Sequence, residues 1–186
     1  MTRVEAFDWL KEHVESESLL KHCLAVEAAM LGYAKVYGQD VERWGNCGLL
    51  HDIDFEKHPD EHPMIGVQWL RDKGFDEEFV LAVQGHGDHT HTPRETLLAK
   101  TLYAVDELAS FIIAVALVRP EKFNDLGVKS VKKKLKDKAF ARAVDRELVV
   151  KGAADMEVDF DLHVERIIQS LAERESELNE MGLTLL

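Results

Sequence analysis

The sequence predicts an all-α protein. Proline is scarce, with 4 residues among 186, and good helix formers such as Ala, Leu, Glu and Lys abound. Apolar residues recur at helical spacing in one segment after another, and no stretch alternates apolar and polar residues as a half-buried strand does. The first helix is expected over about Val4 to Val14, with Phe7, Leu10 and Val14 on one face. The second runs from about Ser18 to Tyr37, aligns Leu19, Cys23, Val26 and Met30, and stops at Gly38. Asp40 can cap a third, which carries Val41, Trp44, Cys47 and Leu50 towards His51 and Asp52. Asp60 is the expected cap of a fourth, with Ile65, Trp69 and Leu70 inward and Gly74 as its stop. Asp76 starts a fifth, through Phe79, Leu81 and Val83, ending near Gly85–Gly87.

Thr92-Pro93-Arg94-Glu95 reads as a capping box with proline at the first helical position. The sixth helix is expected from there to Val118, before Arg119-Pro120, with Leu98, Leu102, Val105 and Ala109 inward. After a loop around Asn124–Gly127, the basic stretch VKSVKKKLKDKAF is expected to be helical, and a final amphipathic helix spans about Leu162 to Leu178. Trp9, Trp44, Trp69 and Phe111 fall at helical spacing among other apolar residues and belong to the core.

Composition narrows the function. Hydrophobic residues make up 46% and charged residues 31%, an ordinary soluble balance. The net charge of −12 repels nucleic acid and anionic membranes, so neither is expected as a partner, and a polyanionic substrate would need metal ions or a local basic patch. Cys23 and Cys47 form no CxxC pair and are expected as buried, reduced thiols. The N-terminal MTRVEAFDWLKEH lacks the apolar run of a signal peptide. The longest apolar stretch, Leu108 to Val118, is too short for a membrane helix. The expectation is a cytoplasmic protein.

His22, Asp52 and Asp106 stand in or beside apolar helical segments, ESLLKHCLAVEAAM, GLLHDI and LLAKTLYAVDELA. Carboxylates persist near a core only when paired, hydrogen-bonded or metal-bound. Residues on three helices can converge inside a bundle, which is how such folds build metal sites. The order His22, His51-Asp52, Asp106 resembles the H…HD…D signature of HD-domain phosphohydrolases. His62, in HPMIGVQWL, and His86, closing the next helix, resemble the further histidines of the HDIG subgroup. The likeness is nearest to HD-type diadenosine tetraphosphate hydrolases, through LLAKTLYAVDEL. HDID here replaces HDIG, with Asp54 in the fourth place. In GHGDHT either His86 or His89 can be the ligand; His86 continues the helix directly.

The resemblance implies a single HD-type helical bundle over 1–186, with a metal-binding core over about 19–118 and a helical extension over about 119–186. It implies one or two divalent ions (Fe, Mn, Co, Ni or Zn) held by His22, His51, Asp52, His62, His86 and Asp106, with Asp52 the natural bridge. The activity implied is hydrolysis of a phosphoester or phosphoanhydride of a nucleotide-like small molecule by a metal-activated hydroxide. Asp54 and Glu56, just past the HD pair, are candidates for proton transfer alongside Asp52. Arg119, Lys129, Lys133 and Lys134 form the strongest basic cluster and are candidates for holding substrate phosphates. His58, His89 and His91 fall on loops, and His13 and His163 are expected at the surface. The rivals are an HD-type module that binds a nucleotide without cleaving it and a purely structural metal site. The apolar MGLTLL segment can pack on its own chain or in a homodimer.

Overall fold

Short polar side chains satisfy the free N–H groups in the first turn of most helices. Thr2, Ser16, Asp40, Asp76, Thr96, Asp145 and Asp159 each accept from a backbone N–H two or three residues ahead. The computed structural model describes residues 1–186. It contains α1 (Arg3–His13), α2 (Glu17–Tyr37), α3 (Val41–Leu50), α4 (Met64–Asp72), α5 (Glu77–Gln84), α6 (Leu97–Leu117), α7 (Val128–Leu135), α8 (Arg146–Asp155) and α9 (Phe160–Glu180), with a 3₁₀ turn at Asp88–Thr90 and no strand. The fold is all-α, as the sequence predicts.

The long helices α2 and α6 pack on each other at the centre. Around them, α3 and α9 lie on α2, while α5, α8 and α9 lie on α6. Leu98, Leu102, Val105 and Ala109 form the buried stripe of α6, and they join Trp9, Trp44 and Phe111 in one continuous core. Both cysteines are free and buried. Two close approaches set the spacing of helices that carry site residues. A Cβ on Gly48 would lie 2.8 Å from the carbonyl oxygen of Val26 and 2.9 Å from the nitrogen of Glu27, so only glycine lets α3 meet α2 there. A Cβ on Gly152 would lie 2.5 Å from the Cα of Ala104, which seats α8 directly on α6. Buried Glu27 on α2 accepts from Arg3 at 2.8 Å and Arg174 at 3.1 Å, tying α1 and α9 to the central helix with its charge compensated.

Several elements differ from expectation, each for a local reason. The sixth helix begins after Thr96, not Thr92. Arg94 donates to the Gly85 carbonyl and the Asp88 carboxylate, while the Thr92 hydroxyl accepts from Gln84, and residues 92–95 stay outside the helix. Asp60 does not cap α4. Its role falls to Asp54, whose Oδ2 accepts from the Gly66 N–H at 2.6 Å. Leu81 points outward and is 43% exposed, while Phe79, Val80, Ala82 and Val83 face the core. The basic stretch is helical only to Leu135, and α8 is an element the sequence reading did not assign.

His163 is not a surface residue; it is fully buried where α9 meets α2 and α6. Its Nε2–H donates to the Ala104 carbonyl at 3.1 Å, which leaves Nδ1 to accept from the Tyr33 hydroxyl. The neutral ring is thus satisfied on both sides. Burial depresses its pKa from 6.5 to about 4. Above pH 6.5 neither the folded nor the unfolded chain holds the proton. As pH falls the unfolded chain takes it up first, and stability declines until about pH 4, by roughly 3 kcal/mol in all. His163→Gln keeps hydrogen-bonding capacity without the titration. Urea unfolding at pH 7 and pH 4.5 is expected to show the variant losing roughly 2–3 kcal/mol less than the wild type over that interval. Equal losses would reject the buried neutral histidine as the cause.

Candidate metal centre

Five chain segments deliver side chains to one point beside the core. The second turn of α2 supplies His22, the end of α3 supplies His51 and Asp52, and the turns before α4 supply His62. The end of α5 supplies His86, and the middle of α6 supplies Asp106. His22 Nε2 lies 3.1 Å from His51 Nε2, 3.3 Å from Asp52 Oδ2 and 3.2 Å from Asp106 Oδ1. His51 Nε2 lies 3.3 Å from Asp52 Oδ1. The same Asp52 Oδ1 lies 3.4 Å from both His62 Nε2 and His86 Nε2, which are 3.1 Å apart. All six sequence-predicted ligands therefore converge, with Asp52 between two halves.

The tautomers decide what this convergence means. Nδ1 of His51 donates to the Gly48 carbonyl at 2.7 Å, and Nδ1 of His86 to the Val83 carbonyl at 2.6 Å. Nδ1 of His62 donates to Asp54 Oδ1 at 2.7 Å, and Nδ1 of His22 meets the Ser110 hydroxyl at 2.7 Å. With the proton held on Nδ1 in His51, His62 and His86, their Nε2 atoms turn lone pairs to the same small volume as His22 Nε2 and two carboxylates. Such a set is self-repelling unless a cation or protons occupy it. Metal–ligand bonds of about 2.0–2.2 Å hold neighbouring donor atoms about 3.0–3.5 Å apart, the spacing found here. Imidazole with carboxylate and no thiolate suits first-row transition ions and zinc. The residues present fit one or two such ions.

Protonation is the competing solution. Burial works against a charged His22, but Asp106 and Asp52 outweigh it and hold its pKa at about 10; His86 is held at about 9 by Asp52 against the same burial. Burial would raise the carboxyls of Asp52 and Asp106, yet His51 and His22 keep both well below the usual range. Metal uptake must displace these protons.

The centre forms the floor of a cavity of about 570 Å³, lined also by Phe55, Asp88, Tyr103, Glu107, Ser110, Val144 and Leu148. That volume suits a nucleotide-sized ligand. A second cleft, shared with Ser16, Ser18 and Glu56, reaches the same centre past His22 and Asp52.

The other sequence-predicted residues divide. His86, not His89, faces Asp52; His89 is exposed and donates to the His62 carbonyl at 3.0 Å. Asp54 is fully buried with both oxygens engaged by His62 and Gly66, so it positions a ligand rather than meeting substrate. Glu56 is exposed and accepts from the N–H groups of Glu15 and Ser16, at the second cleft. The basic cluster is not at the cavity. Arg119 is clamped by Asp125, Lys134 lies over the Phe140 ring, and Lys129 and Lys133 line a separate surface pocket with Asp159 and Glu165. Lys129 and Lys133 sit on the outward face of α7, which packs on the core through buried Val131 with Val128 and Leu135.

Sequence reasoning missed Tyr103 and Glu107, which flank the Asp106 ligand, as well as Ser110 and the mouth residues Asp88, Arg94 and Lys151. Burial, aided by the Asp106 charge, lifts Glu107 to about 7. Helical spacing from Asp106 would have found Tyr103 and Ser110 at i−3 and i+4. Nothing local signals Lys151, because α8 reaches the cavity only through the fold.

Residues 19–110 match the HD domain family, whose members are metal-dependent phosphohydrolases. Over 77 residues the chain is 42% identical to the uncharacterized protein MJ0778 of Methanocaldococcus jannaschii, covering 38% of this chain and 46% of that one. It is 31% identical over 98 residues to ribonuclease Y of Nitratidesulfovibrio vulgaris, covering 50% of this chain and 18% of the relative. It is 38% identical over 92 residues to ribonuclease Y of Rhodopirellula baltica, covering 45% and 17%. The chain thus spans less than half the length of these relatives. No solved structure matches it. The matches support the HD superfamily; the HDIG-like subgroup and the diadenosine tetraphosphate hydrolases gain no support from them. No helix is long and apolar enough to cross a membrane.

Asp54 offers a test of the centre that leaves every ligand in place. Asp54→Asn removes the charge behind His62 while keeping the side-chain shape. It is expected to weaken divalent-metal binding by roughly 10- to 100-fold, read by competition with a chromophoric chelator, with helicity by circular dichroism retained. Wild-type metal affinity in this variant would show that Asp54 has no part in the centre.

Proposed function

We propose that this chain is a metal-dependent phosphohydrolase that cleaves a phosphoester or phosphoanhydride of a nucleotide or related small molecule. One observation carries the reading: four imidazole Nε2 atoms and two carboxylates converge at an open cavity of about 570 Å³. A structural metal site is normally closed, whereas this one faces space for a substrate. Divalent cations at such a centre supply Lewis acidity and lower the pKa of water enough for hydrolysis near neutral pH.

The chain's own groups supply the remainder. Asp52 faces both halves of the ligand set, so it fixes their relation to one another. Asp54 and Ser110 aim His62 and His22. Phe55, Tyr103 and Leu148 offer apolar and aromatic walls to the organic part of a substrate, and Glu107 faces the same space. Asp88 and Glu107 add carboxyl groups to the cavity beyond its ligands, which disfavours a long polyanion more than a compact one. The ribonuclease Y relatives act, by their name, on RNA. Phosphodiester cleavage is within the same chemistry, so short oligoribonucleotides belong in the substrate screen beside mono-, di-, cyclic and dinucleoside phosphates.

Protein loaded in turn with Mn, Fe, Co, Ni or Zn is expected to release product from at least one of these classes. His51→Ala and Asp52→Ala should each lower turnover by about a thousandfold or more, since the metal contribution amounts to several kcal/mol of barrier. Full metal-dependent turnover in either variant rejects the reading. Thermal stabilisation by nucleotides without turnover under any metal would support the rival, a binding module.

A further inference from the structure

The cavity mouth holds a charge arrangement that the ligand set does not use. Asp88 Oδ1 accepts from Arg94 at 2.7 Å, and Asp88 Oδ2 accepts from Lys151 at 3.0 Å and from the Tyr103 hydroxyl at 3.1 Å. Both cations also lie over the Tyr103 ring, the Arg94 guanidinium carbon 3.7 Å and the Lys151 nitrogen 5.2 Å from its centroid. Two fixed cations thus share one carboxylate in a protein whose net charge is −12. Asp88 and Tyr103 line the metal cavity itself.

Arg94 has an anchor besides Asp88, and Lys151 is carried to this point by a fixed helix and lies over the Tyr103 ring. Arg94 is anchored by its second donor to the Gly85 carbonyl at 2.9 Å. Lys151 precedes Gly152, whose close approach to Ala104 seats α8 on α6 beside Tyr103. Removing the carboxylate from between them would leave two neighbouring cations, one of them anchored at Gly85, with no anion. A planar guanidinium and an ammonium facing one point form a good receptor for phosphate oxygens.

We propose that Arg94 and Lys151 form an anion subsite at the cavity mouth that takes a second phosphate of the substrate, with Asp88 as the internal anion which that phosphate replaces. The inference rests on the phosphohydrolase reading and narrows it to substrates with two phosphate groups, one at the metal centre and one at the mouth. Asp88 then sets selectivity: a lone phosphate gains too little to displace it, whereas a linked pair brings the second group at high effective concentration.

Opposite effects of two substitutions test this. Isothermal titration of the full chain with methylenediphosphonate, with and without Mn²⁺, reads the subsite without turnover. Lys151→Gln is expected to weaken binding about tenfold, with partial recovery in Lys151→Arg, as loss of one charge-assisted contact predicts. Asp88→Asn is expected to tighten it several-fold, because the competing anion is gone. If the cluster only ties α8 to the 85–91 loop, both substitutions weaken binding together. That result, an unchanged affinity in Lys151→Gln, or no binding of the diphosphonate by wild type overturns the proposal. Metal-dependent hydrolysis of bis-p-nitrophenyl phosphate, which carries a single phosphate, reports separately on the phosphohydrolase reading.

Discussion

Six metal-seeking side chains held within a few ångströms of one another repel unless something positive sits among them, and the fold is built to sustain that repulsion. No single helix could do it. The ligands arrive on α2, α3 and α6, from the turns before α4 and from the end of α5, so that the packing energy of a continuous core opposes the electrostatic strain at one edge of it. The close approach at Gly48 has its meaning here. It brings α3 against α2 at a separation that lets His51 and His22 face each other, and any larger residue would part them.

Asp54 links the architecture to the centre most directly. One carboxylate oxygen takes the free N–H of Gly66 in the first turn of α4, and the other takes the Nδ1 proton of His62. The start of a helix and the orientation of a ligand therefore depend on the same side chain. The carboxylate that follows the His51-Asp52 pair by two residues is thus spent inside the protein, on a helix start and a ligand.

Much of this was legible in the sequence, and the parts that were not share a cause. Helices α1, α2, α3, α5 and α9 follow from local punctuation and period, since their caps are adjacent in sequence. The polar residues at His22, Asp52 and Asp106 stood out because they interrupt apolar segments. The start of α6 was misplaced because Arg94 and Thr92 answer to Gly85, Asp88 and Gln84 rather than to their neighbours. Local pattern places His163 outward, because nothing nearby in sequence announces Tyr33 and Ala104 as its partners. Charge alone points the lysine run towards substrate, but the fold puts Lys129 and Lys133 on the outer face of α7, away from the cavity. Local rules succeed where the partner is local and fail where the fold brings it from elsewhere.

The four imidazoles are not secured alike. His51 and His86 give their Nδ1 protons to main-chain carbonyls, at Gly48 and Val83, which no substitution of a neighbouring side chain can take away. His22 and His62 depend on Ser110 and Asp54, which a single codon change can alter. Each half of the centre therefore pairs one invariant donor with one adjustable donor. Drift across generations can retune the basicity of either half while its other imidazole stays fixed, so metal preference can diverge among descendants of this chain without loss of the scaffold.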